Sequence, residues 1–243
     1  MFNRHRKTSI EITTISKQQL HFVKKQQKQK TFIFFIRIFI FIVFIFLWEF
    51  AAQQKWIDSF IFSSPSLILS NFLEMFQEHA LFTHISITLT ETFISFFLVI
   101  ILGTFLAILM WMFPNVSKIL EPYFIILNSL PKSALAPLLI VWLGANMRTI
   151  IVAGISVAIF GSIITLYTGF QETDLEKLKM IQTFGGNKYH QLIKIVLPSS
   201  IPLILSTMKV NIGLCLVGVI IGEFIGAKEG LGYLIIYSSQ TFG

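Results

Sequence analysis

The sequence has few charged residues and a single cysteine, and each shortage excludes a class of protein. Only 13% of its 243 residues are charged, whereas 54% are hydrophobic, which is too apolar for a soluble domain of this size. Cys215 has no second cysteine in the chain, so no intramolecular disulfide can form. Its position inside an apolar run indicates a small packed hydrophobic residue. Long runs with few charges instead predict helices that cross a membrane.

The chain also lacks the sequence patterns of an enzyme. It contains neither GxxxxGKS nor GxxxxGKT, the phosphate-binding loop, so ATP hydrolysis is not expected in this polypeptide. No Ser/His/Asp or Cys/His arrangement stands out. His79 and His84 are too few ligands to predict a metal site. We therefore expect no catalytic residue, no metal and no cofactor, and a membrane-embedded enzyme is disfavoured.

Positive charge is concentrated at the N-terminus. The net charge is +7, and residues 1–30 hold eight Lys or Arg against one acid, Glu11. The aromatic interleaving of a nucleic-acid-binding module is absent, so nucleic acid is not an expected partner. The positive-inside rule predicts that residues 1–31 are a cytoplasmic tail that can touch anionic lipid. Signal-peptide cleavage near Ala51 is the alternative, but the long tail and the later spans favour an uncleaved helix.

Five apolar segments predict an all-α integral membrane protein of the plasma membrane, with residues 32–243 as its membrane domain. The segments are 32–50, 85–113, 119–143, 149–167 and 201–224. Pro131 and Pro137 interrupt the third segment. A broken helix at membrane depth is tolerated where it is buried in protein or lines a cavity. Residues 51–84 and 144–148 are expected on the external side.

A polar insert separates the fourth and fifth segments and reads GGNKYHQLIKIVLPSSIP over residues 185–202. Its lysines predict a cytoplasmic position. Gly185 and Gly186 permit a sharp turn after one helix, and Asn187 can cap the next. Apolar residues then recur at helical spacing and predict one face packed on the protein's own spans: Tyr189, Leu192, Ile193 and Val196. We expect two short helices and an elbow between them over residues 172–198.

This insert resembles the cytoplasmic signature of the permeases of binding-protein-dependent ABC importers, in the nitrate, sulfonate and taurine group. The family signature is Glu-Ala-Ala, three residues, Gly, nine residues and Ile-x-Leu-Pro. Gly185 and the later run Ile195, Val196, Leu197 and Pro198 match this spacing without a gap. The triplet itself is not kept, because Lys179, Met180 and Ile181 occupy its positions.

Further segments match the family in the right order from about residue 45 to the end. They are Leu47-Trp48-Glu49, Leu130-Pro131, Ala134, Ala136-Pro137-Leu138, Trp142-Leu143-Gly144, Glu223 and residues 230–235. Lys209 falls where the family often has Arg, and Glu91 falls where it usually has Arg. Family members usually continue past the segment at 230–235 into a sixth helix. The resemblance therefore implies about five transmembrane helices of the permease fold, with the last family helix missing.

The resemblance implies that the chain is the permease subunit of an importer. Residues 172–198 would be the coupling loop that docks into a separate cytoplasmic ATP-binding subunit. The implied contact residues are Lys179, Gly185, Gly186, Asn187, Ile195, Leu197 and Pro198. An extracellular or periplasmic substrate-binding protein and a second permease copy would complete the importer. The expected solute is small and anionic, of the sulfonate, nitrate or taurine kind, and vitamin precursors stay open. An ion-driven secondary transporter is the alternative, since such carriers also have broken helices.

Prolines and charged residues at membrane depth are the candidates for the translocation path. They are Pro131, Lys132, Pro137, Lys209 and Glu223. Lys132 can attract an anionic solute, or it can reach the cytoplasmic interface through the helix break. Lys209 can instead snorkel or form an ion pair, and Glu223 can have a structural role near the end of its span. Asn211, Gly213 and Gly218 indicate close helix packing.

Overall fold

The computed structural model describes residues 17–58, 62–77 and 80–241, and all regular structure in these ranges is helical. The chain divides into two compact units, Met1–Gln77 and Glu78–Gly243. The first half of the basic tail, residues 1–16, and His79 lie outside the described residues. The expected all-α fold is confirmed for the part of the chain that the structure describes.

The first unit contains two described helices, α1 (Lys17–Gln53) and α2 (Pro65–Gln77). Helix α1 carries the Phe-rich span and runs through residue 31, so the expected end of the tail is not a break in the helix. Glu49 near the end of α1 accepts hydrogen bonds from the backbone N–H and the hydroxyl of Ser66, at 3.0 and 2.8 Å. This carboxylate therefore holds the N-terminus of α2, where an anion is favourable.

The second unit is a helical bundle. Its helices are α3 (Ala80–Met112), α4 (Pro114–Ser129), α5 (Lys132–Leu143), α6 (Met147–Gln171), α7 (Leu175–Thr183), α8 (Lys188–Gln191), α9 (Leu197–Gly226) and α10 (Leu231–Thr241). A π-helical turn, Leu192–Val196, joins α8 to α9 in one helical rod, Lys188–Gly226. Within the described residues, α1, α3, α6 and this rod are long and apolar enough to cross a membrane, and α4 with α5 can form a fifth span. The expectation of about five spans is confirmed.

Helices α4 and α5 form the broken segment that the prolines predicted. Their axes meet at 98°. Leu130 precedes Pro131 and has an extended backbone, φ −65° and ψ 142°, because a following proline disfavours the helical region. Pro137 lies within α5 and does not end it. The prediction that both prolines interrupt the segment is therefore right for Pro131 and wrong for Pro137.

Helix α6 lies at the centre of the bundle, where it contacts α3, α4, α5 and α9. A Cβ atom on Gly218 of α9 would lie 2.9 Å from the Cα of Gly154 and 3.1 Å from the carbonyl oxygen of Ala153 on α6. Small residues permit this close approach of two backbones. The predicted packing role is confirmed at Gly218 but is wrong for Gly213, whose Cβ would have no neighbour within 4 Å.

The bundle has two ends that carry different polar structures. At the elbow end, the ammonium of Lys188 donates to the carbonyl of Met112, at 2.6 Å, and so joins the α8 start to the end of α3. At the opposite end, which we call the cavity end, the first turns of α3, the α5–α6 loop and the α9–α10 turn surround a cavity of about 480 Å³. Helix α10 begins there and has 11 residues, too few to cross a bilayer.

The contact between α6 and α9 gives a first prediction. We expect Gly218→Ala to destabilise the protein by about 1–3 kcal/mol, since the added methyl group overpacks a contact between two backbones. Gly213→Ala is the matched control on the same helix, and it should be neutral or slightly stabilising because alanine favours the helix. Thermal unfolding of the two purified variants in detergent measures the difference. Equal melting temperatures would contradict the close contact.

Candidate functional site

The elbow turn contains two glycines that are needed for different reasons. Gly185 has φ +79°, a left-handed conformation that side chains disfavour. Its N–H donates to Gln182 O at 2.9 Å, and the N–H of Gly186 donates to Ile181 O at 2.8 Å, which closes the C-terminus of α7. A Cβ on Gly186 would lie 2.9 Å from that same Ile181 oxygen. The predicted sharp turn is confirmed.

Asn187 begins the second helix of the elbow, as the sequence predicts. Its side-chain oxygen accepts the backbone N–H of His190 at 3.1 Å, and the His190 ring nitrogen Nδ1 lies 2.7 Å from the same oxygen. The His190 ring also faces the backbone N–H of Asn187, at 3.4 Å. This reciprocal arrangement is a capping box in which histidine takes the place of the usual Glu or Gln.

Two side chains fix the position of the elbow, and sequence reasoning missed both. Lys188 donates to Met112 O and stands 5.5 Å from the ring centroid of Trp111. Gln191 is buried, and its amide donates to Leu178 O of α7 at 2.9 Å. The partners of Lys188 lie more than 70 positions earlier in the chain, so no local sequence signal could reveal them. Lys188 thus ties the elbow to the end of α3, and Gln191 ties the two elbow helices to each other.

The expected apolar face of the second elbow helix is only partly present. Leu192 and Val196 are buried in a cluster with Tyr167 of α6. Tyr189 and Ile193 are exposed instead, so the prediction that all four residues pack on the spans is wrong. Gln191 is buried instead and donates to Leu178 O, so the buried face of this helix is turned toward Gln191.

An apolar tip projects from the elbow. Phe184, directly before the glycine turn, is 82% exposed. Met180 and Tyr189 are exposed on either side of the turn in sequence. Large exposed apolar side chains grouped on a polar elbow are typical of a protein contact surface. Sequence reasoning missed Phe184, although a large hydrophobe placed directly before two glycines was its available signal.

The remaining coupling candidates lie away from the tip. Lys179 is exposed and lines a cavity of about 520 Å³ beside Trp111. Ile195 and Leu197 are partly buried in the helical rod that follows the turn, and Pro198 is exposed on the same rod. Gly185, Gly186 and Asn187 therefore form the turn. The Ile-x-Leu-Pro run lies further along the chain, at the junction of the π-helical turn and α9.

Lys132 lies at the break between α4 and α5, the helix pair that can form a fifth span. Its ammonium donates to the carbonyl oxygen of Val157 at 2.8 Å. Val157 is ten residues into α6, about 15 Å from the helix start. The side chain is therefore directed to the middle of α6 in this structure. Pro131 and Pro137 are exposed beside the break.

An open face of α9 carries Lys209, which is exposed near the middle of the helix. Within the described residues, it forms no ion pair. Next to this face, a groove of about 240 Å³ between α6 and α9 is rich in hydroxyl and amide groups. They belong to Ser162, Thr165, Ser206, Thr207 and Asn211. A charge at membrane depth is costly in lipid, so this face is suited to water or protein. The groove was not recognised from the sequence.

Glu223 has a different environment from the two lysines. Its side chain is 0% exposed. One carboxylate oxygen accepts the Thr88 hydroxyl at 2.6 Å, and the other accepts the backbone N–H of Gly232 at 2.7 Å. The carboxylate joins α3, α9 and the start of α10. These contacts favour the structural role that the sequence left open, and a role in the translocation path stays a prediction.

Comparison with known proteins gives consistent matches. Residues 99–243 match the family described as binding-protein-dependent transport system inner membrane component. A probable ABC transporter permease protein of Haemophilus influenzae is 28% identical over 79% of this chain and 78% of the relative. The formylaminopyrimidine transport permease protein ThiX of Halalkalibacterium halodurans is 27% identical, and the match covers 77% of this chain and 74% of the ThiX chain. The taurine transport system permease protein TauC of Escherichia coli is 24% identical, and the match covers 78% of this chain and 70% of the TauC chain.

The anchor of the elbow gives a second prediction. We expect Lys188→Leu to raise the rate of amide hydrogen exchange in residues 175–190 about tenfold, because it removes a charge-assisted hydrogen bond to Met112 O. Lys194→Leu is the matched control, since Lys194 is exposed on the same rod. Hydrogen exchange measured by mass spectrometry compares the two. Equal protection of the elbow in both variants would contradict the anchoring role.

Proposed function

The chain belongs to the family of binding-protein-dependent transport system inner membrane components, and we propose that it is the permease subunit of an ABC importer for a small anionic solute. It is a multi-pass membrane protein and a transport component rather than an enzyme. Family membership decides against the ion-driven carrier that the sequence had left open. ATP hydrolysis takes place in a separate cytoplasmic ATP-binding subunit.

The elbow is the observation that carries this proposal. Phe184 and its exposed neighbours form an apolar tip, which fits a cleft of the ATP-binding subunit. The turn at Gly185 fixes the direction of this tip, and Lys188 holds it to the end of α3. A helical rod, Lys188–Gly226, runs from the elbow to the cavity end. A movement of the bound ATP-binding subunit is thus passed to both ends of the bundle.

The energetic requirement for coupling is simple. The ATP-binding subunits must bind one conformation of the permease more tightly than the other, because a ligand shifts an equilibrium only by its differential affinity. A rigid elbow meets this requirement, since a flexible one would absorb the movement of its partner. The hydrogen bonds of Gly186, Asn187 and Gln191 supply that rigidity.

The orientation follows from the lysines of the elbow. The lysines of the elbow support a cytoplasmic position of the elbow end by the positive-inside rule, and they are Lys177, Lys179, Lys188 and Lys194. Helix α3 ends there, so its start faces the external side. One earlier span, α1, then puts the N-terminus in the cytoplasm. The cavity end is the side from which a substrate-binding protein delivers the solute.

The open face of α9 and its groove supply the solute path and the contact with a second permease copy. Ammonium and hydroxyl donors are suited to sulfonate or carboxylate oxygens. Relatives are named for aliphatic sulfonates, taurine, formylaminopyrimidine and riboflavin. Lys209 favours the anionic members of this range. A facing second copy also removes Lys209 from lipid.

The experiment that tests coupling compares two changes at one glycine. We expect Gly185→Val to insert normally but to lose about tenfold or more of ATP-driven uptake, because a β-branched residue is strained at φ +79°. Gly185→Asn is the control and should keep most activity, since asparagine tolerates this conformation. Uptake and ATPase activity are measured in liposomes that contain the complete importer. Normal coupled uptake by Gly185→Val would refute the role of the elbow.

The charge of the path gives another prediction. We expect Lys209→Gln to lower the uptake of an alkanesulfonate about tenfold, because it removes a charged donor at membrane depth. Lys194→Gln, at the exposed base of the elbow, changes the net charge equally and should leave uptake nearly unchanged. Both variants are assayed with the same binding protein and ATP-binding subunit. Equal uptake by the two variants would show that the solute does not use Lys209.

A further inference from the structure

Helix α2 of the first unit has two faces of different character. At 3.6 residues per turn, Ile68, Leu69, Phe72 and Leu73 fall within an arc of about 140°, which we call the apolar arc. These four side chains are 48–59% exposed in the part of the chain that the structure describes. The opposite arc is mostly polar and consists of Ser66, Leu67, Ser70, Asn71 and Glu74.

The apolar arc is suited to the acyl chains of a lipid. Large apolar side chains that are grouped on one surface mark a contact with a membrane or with another protein. The apolar arc has no charged residue, because the single charge of α2 belongs to Glu74 on the opposite arc. A helix with this division of polar and apolar residues lies in the plane of a membrane interface, with its apolar face toward the acyl chains.

The end of α1 places the start of α2 at the level of the membrane surface. Glu49 accepts both hydrogen bonds of Ser66 and so joins the start of α2 to the last turns of this span. Directly after Glu49, the ring centroid of Phe50 lies 5.8 Å from that of Trp56, and the Trp56 N–H donates to Ala51 O at 3.0 Å. Trp56 is exposed, and tryptophan at the end of a span is typical of the headgroup region. Helix α2 therefore begins where α1 leaves the acyl chains.

The first backbone donors of α2 are satisfied by the protein itself. The first N–H groups of a helix have no partner within that helix, and they are costly to leave unpaired away from water. Glu49 accepts the N–H of Ser66, and the hydroxyl of Ser64 accepts the N–H of Leu67 at 3.3 Å. The carbonyl of Ser64 accepts the next N–H, that of Ile68, at 2.9 Å. The start of α2 can therefore lie at the boundary between headgroups and acyl chains.

We propose that α2 is a membrane-surface helix, which lies in the lipid interface at the C-terminal end of α1 and turns its apolar arc toward the acyl chains of that leaflet. The partner of this arc is the lipid surface itself. The first unit then contacts the bilayer twice, across it through α1 and along its surface through α2. Because Glu49 joins the two helices, α2 also fixes the depth at which α1 leaves the membrane.

The test measures the surroundings of spin labels on the full chain in liposomes of phosphatidylethanolamine and phosphatidylglycerol. Cys215, the natural cysteine of the chain, is first replaced by alanine so that only an introduced cysteine is labelled. Leu69→Cys and Phe72→Cys report on the apolar arc, and Glu74→Cys is the matched control on the opposite arc. All three positions are exposed, so the label displaces no packed side chain. Collisions of each label are measured with oxygen, which concentrates in acyl chains, and with a water-soluble nickel chelate.

We expect the ratio of oxygen to nickel collisions to be about tenfold higher at positions 69 and 72 than at position 74, because an interfacial helix buries its apolar face below the headgroups. Frequent nickel collisions at positions 69 and 72 would place the arc in water and overturn the proposal. Rare collisions with both reagents at these two positions would also overturn it, since protein, either the second unit or a second copy of the chain, would then cover the arc.

Discussion

The contact between the backbones of α6 and α9 is the constraint on which the rest of the bundle depends. Gly154 and Gly218 let the two helices approach until a methyl group would no longer fit between them. Lipid provides no hydrophobic force between helices, so close packing and polar contacts must hold a membrane bundle together. The hydrogen bond from Asn211 to Ser162, at 2.9 Å, adds such a contact along the same pair. α3, α4 and α5 then pack around α6.

This central pair connects two polar ends with opposite properties. At the elbow end, exposed apolar side chains and a glycine turn form a surface suited to a protein partner. At the cavity end, polar and acidic groups are buried, and Glu223 satisfies the backbone of the α9–α10 turn. The rod that contains α9 belongs to both ends. A change at one end therefore acts on the other through a continuous helix rather than through a flexible loop.

Local features were predicted well because their causes are local. Proline before a helix start, glycine at a helix C-terminus and asparagine at a cap each act within about four residues. Pro131, Gly185 and Asn187 accordingly have the conformations that the sequence predicts. Tyr189 and Ile193 were placed wrongly, because the buried face is turned toward Gln191, whose contact with Leu178 was not visible in the apolar spacing. Pro137 was also placed wrongly, since a proline within a membrane helix can be tolerated when neighbours satisfy the backbone.

Hydropathy and short motifs are properties of neighbouring residues, and they were enough to predict the class of protein, the approximate spans, the elbow and the resemblance to a permease family. The partners of the charged groups, by contrast, became visible only when the helices were packed together. Lys132 meets Val157, Lys188 meets Met112, and Glu223 meets Thr88, each across a long separation in the chain. The energy of a charge in a low-dielectric interior depends on the group that the charge faces. Helix packing brings that group into place, and no local sequence pattern specifies this packing.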